Sequence, residues 1–71
     1  MTINECISRS RAYIKEGKLD VAIGIFYGFE DVLTKADLWD LWWLLDHSDY
    51  GCSKGDIEGF LTDLEKYLNE H

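Results

Sequence analysis

Four side chains in this 71-residue chain could act as soft metal ligands: Cys6, His47, Cys52 and His71. A zinc site needs Cys, His or carboxylate ligands that converge on one point. Only His47 and Cys52 are close in sequence, and a separation of five residues carries little information. The segment 46–51 offers carboxylates and a glycine, but the glutamate that ends a calcium-binding EF-hand loop is missing. We therefore expect no metal and no other cofactor.

Catalysis by a nucleophile would need a serine or cysteine beside an activating base. His47 is the only interior histidine, and Cys52 and Ser53 are near it in sequence without any sign that they meet it in space. A carboxylate pair such as Glu30 and Asp31 would need a sheltered pocket for acid–base work, and so small a domain rarely offers one. We expect that the protein is not an enzyme.

The tryptophan cluster is the strongest indication of function. Trp39, Trp42 and Trp43 fall within five positions and would lie side by side on a helix. Core packing would explain them, but tryptophan also dominates binding hot spots. One indole can be buried while another is exposed, so both interpretations stay open. Single-stranded bases also stack on aromatic rings, but the neighbouring aspartates oppose a phosphate backbone.

The charge of the chain is negative and unevenly distributed. Fourteen Asp and Glu residues oppose seven Lys and Arg residues, which gives a net charge of −7. Residues 1–18 carry a net charge of +2, and residues 19–71 carry −9. This surface should repel nucleic acid and attract a basic protein. A simple contribution to solubility is the other explanation.

We predict a surface that combines the tryptophans with acidic residues and binds a protein partner. Its predicted residues are Trp39, Trp42, Trp43, Asp37, Asp40, Asp46, Asp49, Glu58, Asp63 and Glu65. The function would be that of an inhibitor or adaptor that docks on a basic, possibly nucleic-acid-binding, protein. In its strong form the protein is a nucleic-acid mimic of the phage or mobile-element type, because carboxylates along helices can imitate a row of phosphates.

Self-association is the alternative to a separate partner. Gly24 and Gly28 would share one face of a helix, where they allow another backbone to approach closely. In a soluble chain this spacing more often indicates tight packing within the molecule. A homodimer could nevertheless form through this face and the tryptophan-rich helix.

Capping signals indicate that helices position these residues. Three hydroxyl residues are followed three positions later by an acid: Thr2 by Glu5, Thr34 by Asp37 and Ser53 by Asp56. Such pairs cap helix N-termini, so helices should begin at 3, 35 and 54. Gly17 should end the first helix, and apolar spacing over 54–69 predicts the last.

Residues 20–33 could form either a helix or a strand. Val21, Ile25 and Phe29 follow helical spacing, whereas Val21, Ile23 and Ile25 alternate as in a strand until Phe26 breaks the pattern. We prefer the helix. The third helix, 35–47, is apolar nearly all round, which usually means central burial. A chain this short cannot surround one helix, so some of its side chains should lie at an interface.

These elements predict an all-α protein, with residues 1–71 forming a single compact bundle of about four short helices. The core should contain Ile3, Ile7, Ile14, Ile25, Phe26, Phe29, Leu41, Ile57, Phe60, Leu61, Leu64 and Leu68. Cys6 and Cys52 should be separate buried thiols. No apolar run approaches the roughly 20 residues that cross a bilayer, and no signal peptide is evident. We therefore expect a cytoplasmic protein that does not contact membranes.

Overall fold

Helices and tight turns account for nearly all of the chain in the computed structural model, which describes residues 1–48 and 51–70. The α-helices are α1 (Ile3–Lys15), α2 (Leu19–Gly24), α3 (Glu30–Lys35), α4 (Trp39–Asp46) and α5 (Lys54–Glu70), and a 3-10 turn (Ile25–Gly28) joins α2 to α3. The described ranges contain no strand, which confirms the predicted all-α class. None of their helices is both long and apolar enough to cross a membrane.

The first and last helices begin where their capping residues predict. The backbone N–H of Glu5 donates to Thr2 Oγ1 at 3.1 Å, and the Glu5 carboxylate accepts in return from Thr2. Ser53 and Asp56 form the same reciprocal pair at the start of α5. Each of these reciprocal pairs is a capping box, which satisfies backbone donors that a helix start otherwise leaves unpaired.

The predicted helix start at 35 is wrong, because Thr34 and Asp37 form part of a helix end. Asp37 has a φ of +59°, and its N–H donates to Thr34 O at 3.1 Å. Leu38 N–H donates to Leu33 O at 2.8 Å, which completes a Schellman motif. The helix α4 therefore begins only at Trp39. Gly17, with a φ of +77°, ends α1 through the same geometry, as the sequence predicted.

The segment 20–33 is helical, as preferred, but it is not one helix. It breaks at the 3-10 turn, where Phe29 N–H donates to Phe26 O. The last carbonyls of an α-helix lack partners within the helix. Here core side chains supply donors: Ser10 Oγ–H to Ala22 O at 2.7 Å, Trp42 Nε1–H to Ile23 O at 2.8 Å and Cys6 Sγ–H to Ile25 O at 3.3 Å.

The core lies where the long helices α1 and α5 meet the shorter helices α2, α3 and α4. Seven of its predicted members are buried: Ile7, Ile14, Phe26, Ile57, Phe60, Leu61 and Leu64. Four more are half-buried against them: Ile3, Ile25, Phe29 and Leu68. The edge of one ring meets the face of the other in the pair Phe26 and Phe60, whose centroids are 5.3 Å apart.

The prediction that Leu41 is a core residue is wrong, because this side chain is 37% exposed. Leu38 and Trp42 occupy the buried side of this part of the chain instead. Cys6 is buried, as predicted, but the burial of Ser10, Ala22, Ile23 and Leu33 was not predicted from the sequence. Both cysteines are free thiols, as predicted, but Cys52 is only half-buried.

Candidate protein-binding surface

The helix α4 has one side in the core. Trp42 is 1% exposed, and its indole N–H donates to the carbonyl of Ile23. Trp39 is half-buried and stacks on Trp42, with ring centroids 5.0 Å apart. Trp42, one of the predicted surface residues, is therefore a core residue, because its ring and its polar atom are both satisfied inside the molecule.

The other side of α4 leaves large apolar side chains in water. Leu41 is 37% exposed, Trp43 47% and Leu44 62%. Asp40 is also exposed, and it precedes Trp43 and Leu44 by three and four residues, so these side chains are neighbours on the helix surface. We call Asp40, Leu41, Trp43, Leu44 and His47 the outer face of α4.

The His47 ring stacks on the ring of Trp43. The two rings are nearly parallel, with an angle of 11° between them and centroids 4.2 Å apart. His47 Nδ1 also lies 3.0 Å from Trp43 O and 3.5 Å from Asp46 Oδ2. An imidazole held at these atoms restricts the rotamers of Trp43, so less side-chain entropy would be lost on binding.

Tyr27 adds an aromatic side chain that the sequence analysis missed. It lies on the 3-10 turn, is 75% exposed, and its ring centroid is 6.2 Å from that of Trp42. Its exposure follows from the break between α2 and α3, which turns this position outward. Periodicity along an unbroken helix gives no signal for it.

The predicted acidic residues do not form one surface. Asp40 and Asp46 lie on α4, whereas Asp37 and Asp63 line a shallow depression between the α3–α4 turn and α5. That depression also contains Lys66. Asp49 lies outside the described residues.

Glu58 and Glu65 lie beside basic residues of α1. Glu65 forms a salt bridge with Arg11, and Glu58 lines a depression with Arg11, Lys15 and Lys54. Two of the four basic residues in the first 18, Arg11 and Lys15, therefore lie beside these two acids. The two acids are less available to a partner than their sequence positions suggested.

Further acidic side chains surround the loop that precedes α5. Burial raises the pKa of the Cys52 thiol, and the negative charges of Asp20, Asp56 and Asp46 raise it further. Acidic side chains from α2, from the end of α4 and from the start of α5 therefore create a negative potential around Cys52. Among the described residues, no group of three Cys, His, Asp or Glu side chains has the arrangement of a metal site.

The two glycines do not share a helix face, because α2 ends at Gly24 and Gly28 ends the 3-10 turn. A Cβ atom added at Gly24 would meet Asp46 Oδ1 at 3.8 Å, and one added at Gly28 would meet nothing within 4 Å. The expected close approach of another backbone within the molecule is therefore wrong.

Comparison of the chain with protein-family models, curated proteins and solved structures gives no match.

Proposed function

We propose that the protein is a small binding module that docks on a basic protein through the outer face of α4. The observation that carries this proposal is the joint exposure of Leu41, Trp43 and Leu44 on a helix whose opposite side is buried. Single exposed apolar residues are normal on a protein surface. Three large ones within four positions, including a tryptophan, are typical of an interaction site.

The exposed indole could supply a substantial part of the binding energy. Trp43 is 47% exposed, which corresponds to roughly 100 Å² of an aromatic side chain. Covering that area would contribute roughly 2.5 kcal/mol at about 25 cal/mol per Å². Its stacking on His47 supports this role, since a fixed ring loses little freedom when a partner covers it.

Acidic residues around the outer face favour a basic partner. Asp37 and Asp40 are exposed at the start of α4, and Asp46 lies at its end. Charges of this kind accelerate the encounter with a cationic surface, and salt screens their effect. Nucleic-acid mimicry has less support than simple docking, because Glu58 and Glu65 lie beside basic residues and do not extend a row of negative charge.

A second copy of the chain suits this surface less well than a separate protein does. Two molecules with a net charge of −7 repel each other. A standard interface takes about 800 Å² from each partner, and three partly exposed side chains provide only a fraction of that. Self-association is therefore an outcome for the experiment to detect.

The test is a comparison of two variants in extract of the source organism. The double variant Trp43→Ala, Leu44→Ser removes the two most exposed apolar side chains of the outer face without touching the core, and Asp63→Asn on α5, outside the outer face, is the control. A partner that meets the proposal has a basic surface, is captured by the unchanged protein and by the control, and is lost with the double variant.

Binding kinetics with the purified partner complete the test. Asp40→Lys should slow association most at low salt, whereas Trp43→Ala should speed dissociation at all salt concentrations. Equal binding by the double variant would overturn the proposal. A dimer in sedimentation experiments that the double variant abolishes would replace it with self-association.

A further inference from the structure

We propose that the outer face of α4 receives an arginine side chain from the partner, held between the indole of Trp43 and the carboxylate of Asp40. This inference rests on the proposed function and names the chemistry that the partner must bring. The occupant is a basic segment whose surface presents an arginine beside an apolar side chain, and the apolar side chain would lie against Leu44.

The carboxylate of Asp40 is unengaged, whereas several other acids of the molecule are held by a partner. Glu5 and Asp56 cap helices, and Glu65 pairs with Arg11. Within the described residues, Asp40 forms neither a hydrogen bond nor a salt bridge. An exposed carboxylate three residues before an exposed indole offers a cation both a charge partner and an aromatic surface.

Trp43 is arranged to accept a planar cation. His47 covers one side of the indole at 4.2 Å, so the exposed part of the ring lies away from His47. A cation within about 6 Å of an indole centroid is attracted by the negative face of the ring. The spacing of three residues between Asp40 and Trp43 brings their Cβ atoms to about 5–6 Å on the helix surface.

These two groups together select arginine over lysine. The guanidinium is planar, so it can stack on an indole while its N–H groups donate to a carboxylate in two parallel bonds. The ammonium of lysine is a strongly hydrated point charge that does not make both contacts in this way. The geometry therefore predicts a preference based on shape in addition to general attraction between opposite charges.

A second copy of the chain could also bring an arginine to this site. The sequence contains Arg9 and Arg11, and Arg11 is paired with Glu65. Only Arg9 remains for such a contact. Self-association of the labelled protein in the absence of peptide, abolished by Arg9→Lys, would transfer the site to a second copy and overturn the proposal of a separate partner.

The test is a nuclear magnetic resonance titration of the isotope-labelled protein with helical peptides of about 15 residues, the length at which isolated helices begin to be stable. Three peptides share one alanine-based sequence with a leucine four residues from the variable position. That position carries arginine, lysine or citrulline, the neutral analogue of arginine. The Trp43 indole N–H resonance reports binding, and the buried Trp42 indole serves as an internal reference.

The arginine peptide should move the Trp43 resonance in the millimolar range and leave that of Trp42 unchanged. It should bind roughly fivefold more tightly than the lysine peptide, which is the scale of one exposed cation–π contact. Asp40→Asn and Trp43→Phe should each reduce this preference, whereas Asp63→Asn makes the same change in net charge and should preserve it. Circular dichroism establishes that each variant remains helical.

Two results would overturn the arginine site while leaving the proposed function intact. One is equal affinity for the arginine and lysine peptides, with the same resonances of α4 shifted by both. The other is an equal loss of affinity in Asp40→Asn and Asp63→Asn, which would indicate general electrostatic attraction. If no peptide shifts a resonance of α4, the arginine site is wrong, and the capture experiment with the double variant decides the proposed function separately.

Discussion

Replacing Trp42 by phenylalanine tests whether this indole is held as the structure shows. The Nε1–H group donates to Ile23 O at 2.8 Å in a site that is 1% exposed. Phenylalanine keeps an aromatic ring but has no donor. We expect the variant to fold and to be clearly less stable than the original chain.

The expected loss has two parts. Leaving a buried carbonyl without this donor should destabilise the protein by about 1–3 kcal/mol. The missing part of the indole leaves a cavity on the order of 30 Å³, which adds roughly 0.7 kcal/mol at about 24 cal/mol per Å³. The sum, roughly 2–4 kcal/mol, is smaller than the stability of roughly 4–10 kcal/mol that is usual for a domain of this length. Replacing Trp42 by alanine would cost an amount that approaches the whole stability of the domain.

Urea denaturation followed by circular dichroism measures this loss, and Trp43→Phe is the matched control. Trp43 is 47% exposed and lies one position away, so its substitution should change stability by less than about 0.5 kcal/mol. The melting temperature of Trp42→Phe should fall by roughly 8–30 °C, given about 4–8 °C per kcal/mol in domains of this size. Equal losses in the two variants would refute the assignment of Trp42 to the core and Trp43 to the surface.

Three further predictions concern the turns, one cap and the thiols. Asp37→Gly should raise the free energy of unfolding by roughly 1 kcal/mol, because glycine removes the cost of a φ of +59°. Gly17→Ala should lower it by about the same amount, because alanine would have to adopt a φ of +77°. Thermal melts of both variants check the two signs. Ser53→Ala should cost about 1 kcal/mol in urea midpoint experiments, because it removes the acceptor for a backbone donor of α5. Burial raises the pKa of Cys6 and Cys52 above the ordinary 9.0, so the unfolded chain releases these protons first. The two thiols therefore contribute fully to stability below pH 9, and this contribution is lost as the pH rises through their pKa values in the folded protein. In urea titrations at alkaline pH, the free energy of unfolding should decline less steeply for a double alanine variant.

Local signals predicted the parts of the fold that local interactions determine. The capping boxes at Thr2 and Ser53 use donors and acceptors within one helical turn. The apolar stripe of α5 requires only that one side of this helix is buried, and its members are Ile57, Phe60, Leu61 and Leu64. These features depend on residues three or four positions apart. The sequence therefore sufficed for α1, α5 and most of the core.

The middle of the chain depends on contacts between distant residues, and there the sequence predicted helical structure correctly but placed the helix boundaries wrongly. The break after Gly24 is compatible with burial because side chains from α1 and α4 donate to the carbonyls around it. Likewise, Thr34 and Asp37 match a helix start as well as they match the turn that they form. The helix end that the structure shows buries Leu33 and Leu38, which lie on either side of this turn.

The same long-range contacts determine which tryptophan is exposed. Trp42 and Trp43 are adjacent in sequence, so a helix must point them about 100° apart. The carbonyl of Ile23, at the end of the shortened α2, accepts a hydrogen bond from the indole of Trp42 and helps to hold this ring in the core. Trp43 then projects outward, where the end of α4 places His47 against it. The break in the predicted second helix and the exposed face of α4 are therefore linked, and a change that restored a continuous helix over 20–33 should disturb the proposed binding surface without altering any of its residues.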